Sequence, residues 1–141
     1  YTDWCGWCKK MDKTTFQHPD IVKYLNDNFY AVKLDAEMKK SFTFKGKELQ
    51  YKSKGVRGIH EVAYEVTGGA DKLRGFPTIS FLDEELNVID ALSSYFTEDD
   101  IKPMLYYYNE NHYKKDLNND NKTNQKDYFK FYEEYKKNNP W

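Results

Sequence analysis

Hydrophobic positions along this chain change period several times, and each change predicts an element. Lys9 to Phe16 reads as a helix, and His18-Pro19-Asp20 restarts it, because proline suits a first helical position but not an interior one. Ile21, Val22, Tyr24 and Leu25 continue at helical spacing until Asn26-Asp27-Asn28 ends the run. Phe29 to Asp35, rich in aromatic and branched residues, predicts a buried strand. Phe42, Phe44, Leu49 and Tyr51 alternate with polar residues around Lys45-Gly46-Lys47-Glu48, which predicts one hairpin with glycine in its turn. Gly58 to Val66 predicts a short helix carrying Ile59, Val62, Ala63 and Val66 on one face and ending at Gly68-Gly69.

Two further strands, Thr78 to Leu82 and Asn87 to Leu92, are joined by the acidic turn Asp83-Glu84-Glu85 and predict an antiparallel pair. Thr97 is placed as the N-cap of a closing helix, with Glu98, Asp99 and Asp100 in its first turn and Ile101, Met104, Leu105 and Tyr108 facing inward. The Tyr106-Tyr107-Tyr108 run then reads as helix surface and core, not as a cofactor site. From Lys114 to Lys126 the composition turns to Asn, Asp and Lys, a solvated connector, before Tyr128, Phe129, Phe131, Tyr132 and Tyr135 predict a final amphipathic helix.

Composition narrows the class. A chain of 141 residues with 39% hydrophobic and 18% aromatic content can build one compact core, and the final helix is too short to bury a second. The formal charge of -1 supplies no global field toward nucleic acid or anionic lipid, so neither is expected as a partner. No apolar run approaches the roughly 18 to 20 residues of a membrane span. Tyr1-Thr2-Asp3-Trp4-Cys5 is neither a basic nor an apolar leader, and a leader removed upstream of Tyr1 would leave no trace, so compartment is not read from this end.

The two cysteines stand two residues apart, Cys5 and Cys8. Such a pair closes too small a loop to restrict the unfolded chain much, so it is not expected to be a structural staple. At the start of a helix, unpaired backbone N–H groups and the positive end of the dipole favour thiolate over thiol. A cysteine pKa of about 8.5 falls in such settings to roughly 3.5 to 7.5. Cys5 is therefore assigned as attacking thiolate and Cys8, about one turn on, as the resolving thiol. The competing use of Cys-x-x-Cys is half a zinc site, but zinc usually takes four ligands, no second cysteine pair exists, and His18, His60 and His112 form no spaced pair. No metal is expected at the pair.

Trp4-Cys5-Gly6-Trp7-Cys8-Lys9, together with Gly75-Phe76-Pro77-Thr78 before an apolar strand, resembles the thioredoxin superfamily over about residues 1 to 110. The resemblance implies an α/β thioredoxin fold, a central mixed sheet flanked by helices, with a β-hairpin insertion and a C-terminal helical extension. It implies a thioredoxin-like domain at 1–112, its insertion at about 41–57 and its first strand truncated at the N-terminus, with 113–141 as linker and C-terminal helix packed on the same domain. It also implies a cis Pro77, substrate contact through the backbone of Phe76 and around Gly6, and Trp4 and Trp7 as a partly exposed substrate platform. The implied activity is protein thiol-disulfide oxidoreduction through the Cys5–Cys8 disulfide, with no organic cofactor. Its partners would be disulfide or dithiol proteins and an upstream redox protein.

Phe42 to Val66, with Gly55 and His60-Glu61-Val62-Ala63, is similar to an insertion of extracytoplasmic bacterial thioredoxin-like proteins, which implies the periplasm, a cytoplasmic location being the alternative. Gly6-Trp7 departs from the Gly-Pro of ordinary thioredoxins at the position where the family tunes potential, so the direction of electron flow stays open. The buried acid that the family carries in the strand before the active site lies outside this sequence. Another class remains: a peptide-binding adaptor on the same scaffold, with a non-catalytic disulfide.

Two motifs have weaker functional readings. His60 reads first as a helix residue half buried against the sheet, and only second as a proton donor to the thiols. Asp116, Asn118, Asp120, Asn121, Asn124 and Asp127 resemble an EF-hand calcium loop, but Asn121 stands for the usual glycine and Asp127 for the bidentate glutamate. A solvated linker is the favoured reading.

Overall fold

A computed structural model describes residues 1–115, 117 and 125–139. Its helices are α1 (Gly6–Lys13), α2 (Pro19–Asn28), α3 (Glu61–Glu65), α4 (Glu98–Asn109) and α5 (Gln125–Asn138), with single 3-10 turns at Thr15–Gln17 and His112–Lys114. Its strands are β1 (Phe42–Phe44), β2 (Lys47–Leu49), β3 (Tyr51–Lys54), β4 (Arg57–His60), β5 (Thr78–Leu82) and β6 (Val88–Ser93). They pair as three antiparallel ladders, β1 with β2, β3 with β4 and β5 with β6. The chain divides into two compact units, Tyr1–Lys13 with Val32–Tyr95, and Thr14–Ala31 with Phe96–Trp141.

The first unit holds α1, α3 and all six strands. Its buried side chains include Met11, Leu49, Val62, Ala63 and Phe81. Lys45 (φ 51°) and Gly46 (φ 77°) form the two-residue β1–β2 turn, the left-handed pair that matches strand twist, so Lys47 and Glu48 belong to β2 and not to the turn. Tyr51 does not extend that hairpin. It opens a second one, in register Tyr51↔His60 to Lys54↔Arg57, and the expected helix over Gly58 to Val66 therefore shrinks to Glu61–Glu65. Gly58 decides this: a Cβ there would lie 2.2 Å from the Lys52 carbonyl oxygen and 2.7 Å from the Tyr51 ring, so only glycine permits the two strands to close.

The buried strand expected over Phe29 to Asp35 is a second correction. Phe29 is extended, but the segment joins no assigned ladder, and Tyr30 and Val32 are exposed. At its end the Tyr1 nitrogen donates to the Leu34 carbonyl at 2.9 Å and the Ala36 N–H donates to the Tyr1 carbonyl at 2.8 Å, the straddling pattern of parallel pairing about Asp35. Parallel pairing among the described residues is thus confined to these bonds, in place of the ladder a central mixed sheet would show.

The second unit is helical. Thr97 Oγ1 accepts from the Asp100 N–H while the Asp100 carboxylate accepts from the Thr97 N–H, a reciprocal cap that fixes where α4 starts. Ile101, Met104, Leu105, Tyr107 and Tyr108 are buried. α5 packs on α4 through aromatic rings, Tyr107 meeting Phe131 and Tyr128 at 5.2 Å each and Tyr106 meeting Tyr135 at 5.3 Å. Such contacts add roughly 0.5 to 1.5 kcal/mol each beyond area burial. Of the calcium-loop residues, Asp116, Asn118, Asp120, Asn121 and Asn124 lie outside the described residues, and Asp127 is buried in α5.

Candidate functional site

The site begins with a turn. Cys5 donates its N–H to the Thr2 carbonyl at 3.2 Å and its carbonyl accepts the Lys9 N–H at 3.2 Å, so Cys5 is the residue from which α1 springs. Its side chain then occupies the place an N-cap oxygen usually takes. The Cys8 N–H, three residues on, points at Cys5 Sγ at 3.1 Å. Cys5 and Cys8 are joined as a disulfide with their Cα atoms 5.2 Å apart, and both residues are buried, at 5% and 4% exposure. The two sulfurs are nonetheless unequal. Among the described residues only Cys5 Sγ receives a backbone donor, and a donor aimed at sulfur stabilises the charged form once the bond is reduced.

Around the disulfide lie aromatic rings. Trp4, half exposed, donates its indole N–H to Glu37 Oε1 at 3.0 Å and meets Phe76 edge to face at 6.0 Å between ring centroids. That contact brings the two sequence motifs together, since Phe76 precedes Pro77 and their peptide bond is cis. Thr78 Oγ1 donates to the Gly75 carbonyl at 2.6 Å, tying the ends of the Gly75–Thr78 bend. Trp7, also half exposed, lies 5.2 Å from Tyr95, and the Lys10 ammonium sits over both rings, 5.1 and 5.3 Å from their centroids. The Arg57 guanidinium lies over Trp4 at 4.6 Å. A methyl group at Gly6 would meet nothing within 4 Å, so the surface between the two tryptophans is open.

Glu37, Arg57 and Tyr95 are not singled out by either motif. Arg57 is the first residue of β4 and Tyr95 follows the end of β6, positions that no local sequence pattern marks as part of a site. His60 is the opposite case. It is fully buried, its Nδ1 accepts from the Val62 N–H at 3.1 Å and its Nε2 lies 3.0 Å from the Lys40 carbonyl oxygen. With one nitrogen accepting and the other donating, the ring caps α3 as the neutral Nε2–H tautomer and has no proton to offer elsewhere. One cavity, of about 490 Å³, is lined in the second unit by residues including His18, Asp20, Lys102 and Tyr135 and includes none of the residues around the disulfide. Among the described residues no three or more His, Cys, Asp or Glu side chains gather as metal ligands, and no helix is long and apolar enough to cross a membrane.

A family model described as a thioredoxin-like domain matches residues 1–109. The uncharacterized protein B0495.5 of Caenorhabditis elegans is 30% identical over 101 residues, 72% of this chain, and the match spans 11% of that protein's length. No solved structure matches the chain.

Proposed function

This chain belongs to the thioredoxin-like family, and on that premise we propose that it is a protein thiol-disulfide oxidoreductase, reducing or exchanging disulfides through Cys5 and Cys8. The observation that carries the reading is the Cys8 N–H on Cys5 Sγ at the mouth of α1, because it singles out one sulfur as the better thiolate. In the reduced protein Cys5 thiolate attacks a substrate disulfide. A bond forms between Cys5 Sγ and one substrate sulfur, the substrate S–S bond breaks, and the other substrate sulfur leaves as thiolate. Cys8 thiolate then attacks Cys5 Sγ, forming the Cys5–Cys8 bond and releasing the second substrate sulfur. The substrate has gained two electrons and takes up two protons. A dithiol protein must return those electrons for another turnover, and run backward the same steps oxidise a dithiol substrate.

Trp4, Trp7, Phe76, Pro77 and Gly6 are the substrate contacts in this proposal, the rings supplying a platform and Gly6 the gap for an extended chain. No organic cofactor is needed, and an extracytoplasmic location such as a bacterial periplasm goes with it. Equilibration of the protein with glutathione buffers, followed by a turbidity assay of insulin reduction, tests the reading. A reversible two-electron transition with insulin reduction is expected, and a pair that stays oxidised and leaves insulin intact would overturn it. The near-complete burial of both cysteines favours the second reading, a peptide-binding module whose disulfide is a passenger.

A further inference from the structure

We propose that Arg57 is a substrate-specificity residue that binds a carboxylate of the target polypeptide beside its disulfide. This rests on the redox reading above and names the kind of substrate it serves. Between Lys39 and Arg57 the sequence carries seven basic residues against one acidic, in a chain whose total is -1. Lys47 and Lys52 are matched by Glu65 at 3.3 Å and Glu61 at 3.6 Å. Lys39, Lys40, Lys45, Lys54 and Arg57 have no ion pair among the described residues, which leaves the segment from Lys39 to Arg57 positive on a chain that is otherwise acidic.

Arg57 brings the charge of that segment beside the disulfide. Its guanidinium lies on the Trp4 ring at 4.6 Å, and Trp4 directly precedes Cys5. The ring lies against the guanidinium, and no hydrogen bond or ion pair among the described residues uses its N–H groups. Glu37, bonded to Trp4 through the indole N–H, forms no ion pair with Arg57. A planar fork of donors, placed against an aromatic ring and without a hydrogen-bond partner among the described residues, matches a carboxylate better than any other common group on a polypeptide. The uncompensated lysines behind it would steer an acidic segment in the same direction.

The test uses two peptides with one internal disulfide each, identical except that the flanking residues are Glu in one and Lys in the other. Uncharged hydroxyethyl disulfide is the control, and second-order rate constants are measured with the pre-reduced chain at low and high salt. The Glu-flanked peptide is expected to react roughly tenfold faster at low salt, with the gap narrowing at high salt. In Arg57→Gln the gap falls to about twofold and in Arg57→Glu it inverts, while hydroxyethyl disulfide and the redox potential stay unchanged. Equal rates for the two peptides, or a preference that survives Arg57→Gln, would overturn the proposal. So would Arg57-dependent binding to anionic lipid vesicles without any peptide preference, which reassigns the segment to membranes. Failure to react even with hydroxyethyl disulfide removes the redox reading itself, and the subsite with it.

Discussion

Cys8 donates its backbone N–H to the sulfur of Cys5 at 3.1 Å, and among the described residues nothing equivalent reaches the sulfur of Cys8. The pair is asymmetric before any substrate arrives. Three residues separate the atoms because that is where the first turn of a helix presents an unpaired donor to its N-cap, so the asymmetry is a property of local geometry.

The first prediction follows from that bond. Reduced Cys8→Ser should alkylate with iodoacetamide at pH 6 roughly tenfold faster than a cysteine in an unstructured peptide, and should accumulate mixed disulfides with protein substrates. Cys5→Ser should do neither and should lose insulin reduction. Equal behaviour of the two variants would remove the assignment of attacking and resolving thiols, and a Cys5 no more reactive than the peptide would favour the adaptor reading.

Gly6 separates stability from recognition. Its backbone lies outside the left-handed region and a Cβ there has open space, so Gly6→Ala should leave stability unchanged or raise it by about 0.5 kcal/mol through the unfolded chain. Against peptide disulfides its rate should fall several-fold, while the rate with hydroxyethyl disulfide stays within about twofold. Equal losses on both would place the effect on the thiols instead of the substrate backbone.

His60→Ala should be costly. It strands the buried Val62 N–H, takes the donor from the part-buried Lys40 carbonyl and removes the α3 cap, a loss of about 2 to 4 kcal/mol. His60→Asn keeps a cap acceptor and should recover part of it. Urea midpoints of the oxidised proteins measure both, and a loss under about 1 kcal/mol in the alanine variant would mean that His60 is not the joint described here.

Alkali should loosen the second unit. Burial raises the Tyr135 phenol to about 12 and raises Tyr128 as well, while an unfolded tyrosine titrates near its ordinary value of about 10. Raised folded values mean that the neutral phenols stabilise the fold fully below pH 10, and that this contribution drains away as pH climbs from about 10 toward 12. Urea titrations between pH 9 and 11.5 should show it, and Tyr128→Phe with Tyr135→Phe should flatten the slope.

Much of this was legible in local sequence, and the parts that were not have a common cause. Thr97 with Asp100 fixes α4 because a cap is made within four residues, and Cys5 with Cys8 is visible for the same reason. Ile59, Val62, Ala63 and Val66 also satisfy helical spacing, yet the residues before Glu61 became strand β4 because Gly58 could close on Lys52 and Tyr51, partners that no local period reveals. Phe29 to Asp35 had the composition of a buried strand but not the neighbours that make one, and Tyr30 and Val32 ended exposed. At the site, Phe76 could be matched to the disulfide by motif alone, whereas Arg57 over Trp4 depends on a hairpin closing far along the chain.

The β3–β4 hairpin keeps its inheritance in two places. Gly58 cannot drift, since any side chain there strikes the Lys52 carbonyl, whereas Val56 is fully exposed at the tip and Arg57 next to it lies over a ring with no ion pair among the described residues. Lineages carrying this hairpin are therefore free to retune which customers they greet without renegotiating how the hairpin holds together. Divergence should appear first at 56 and 57 and last at 58.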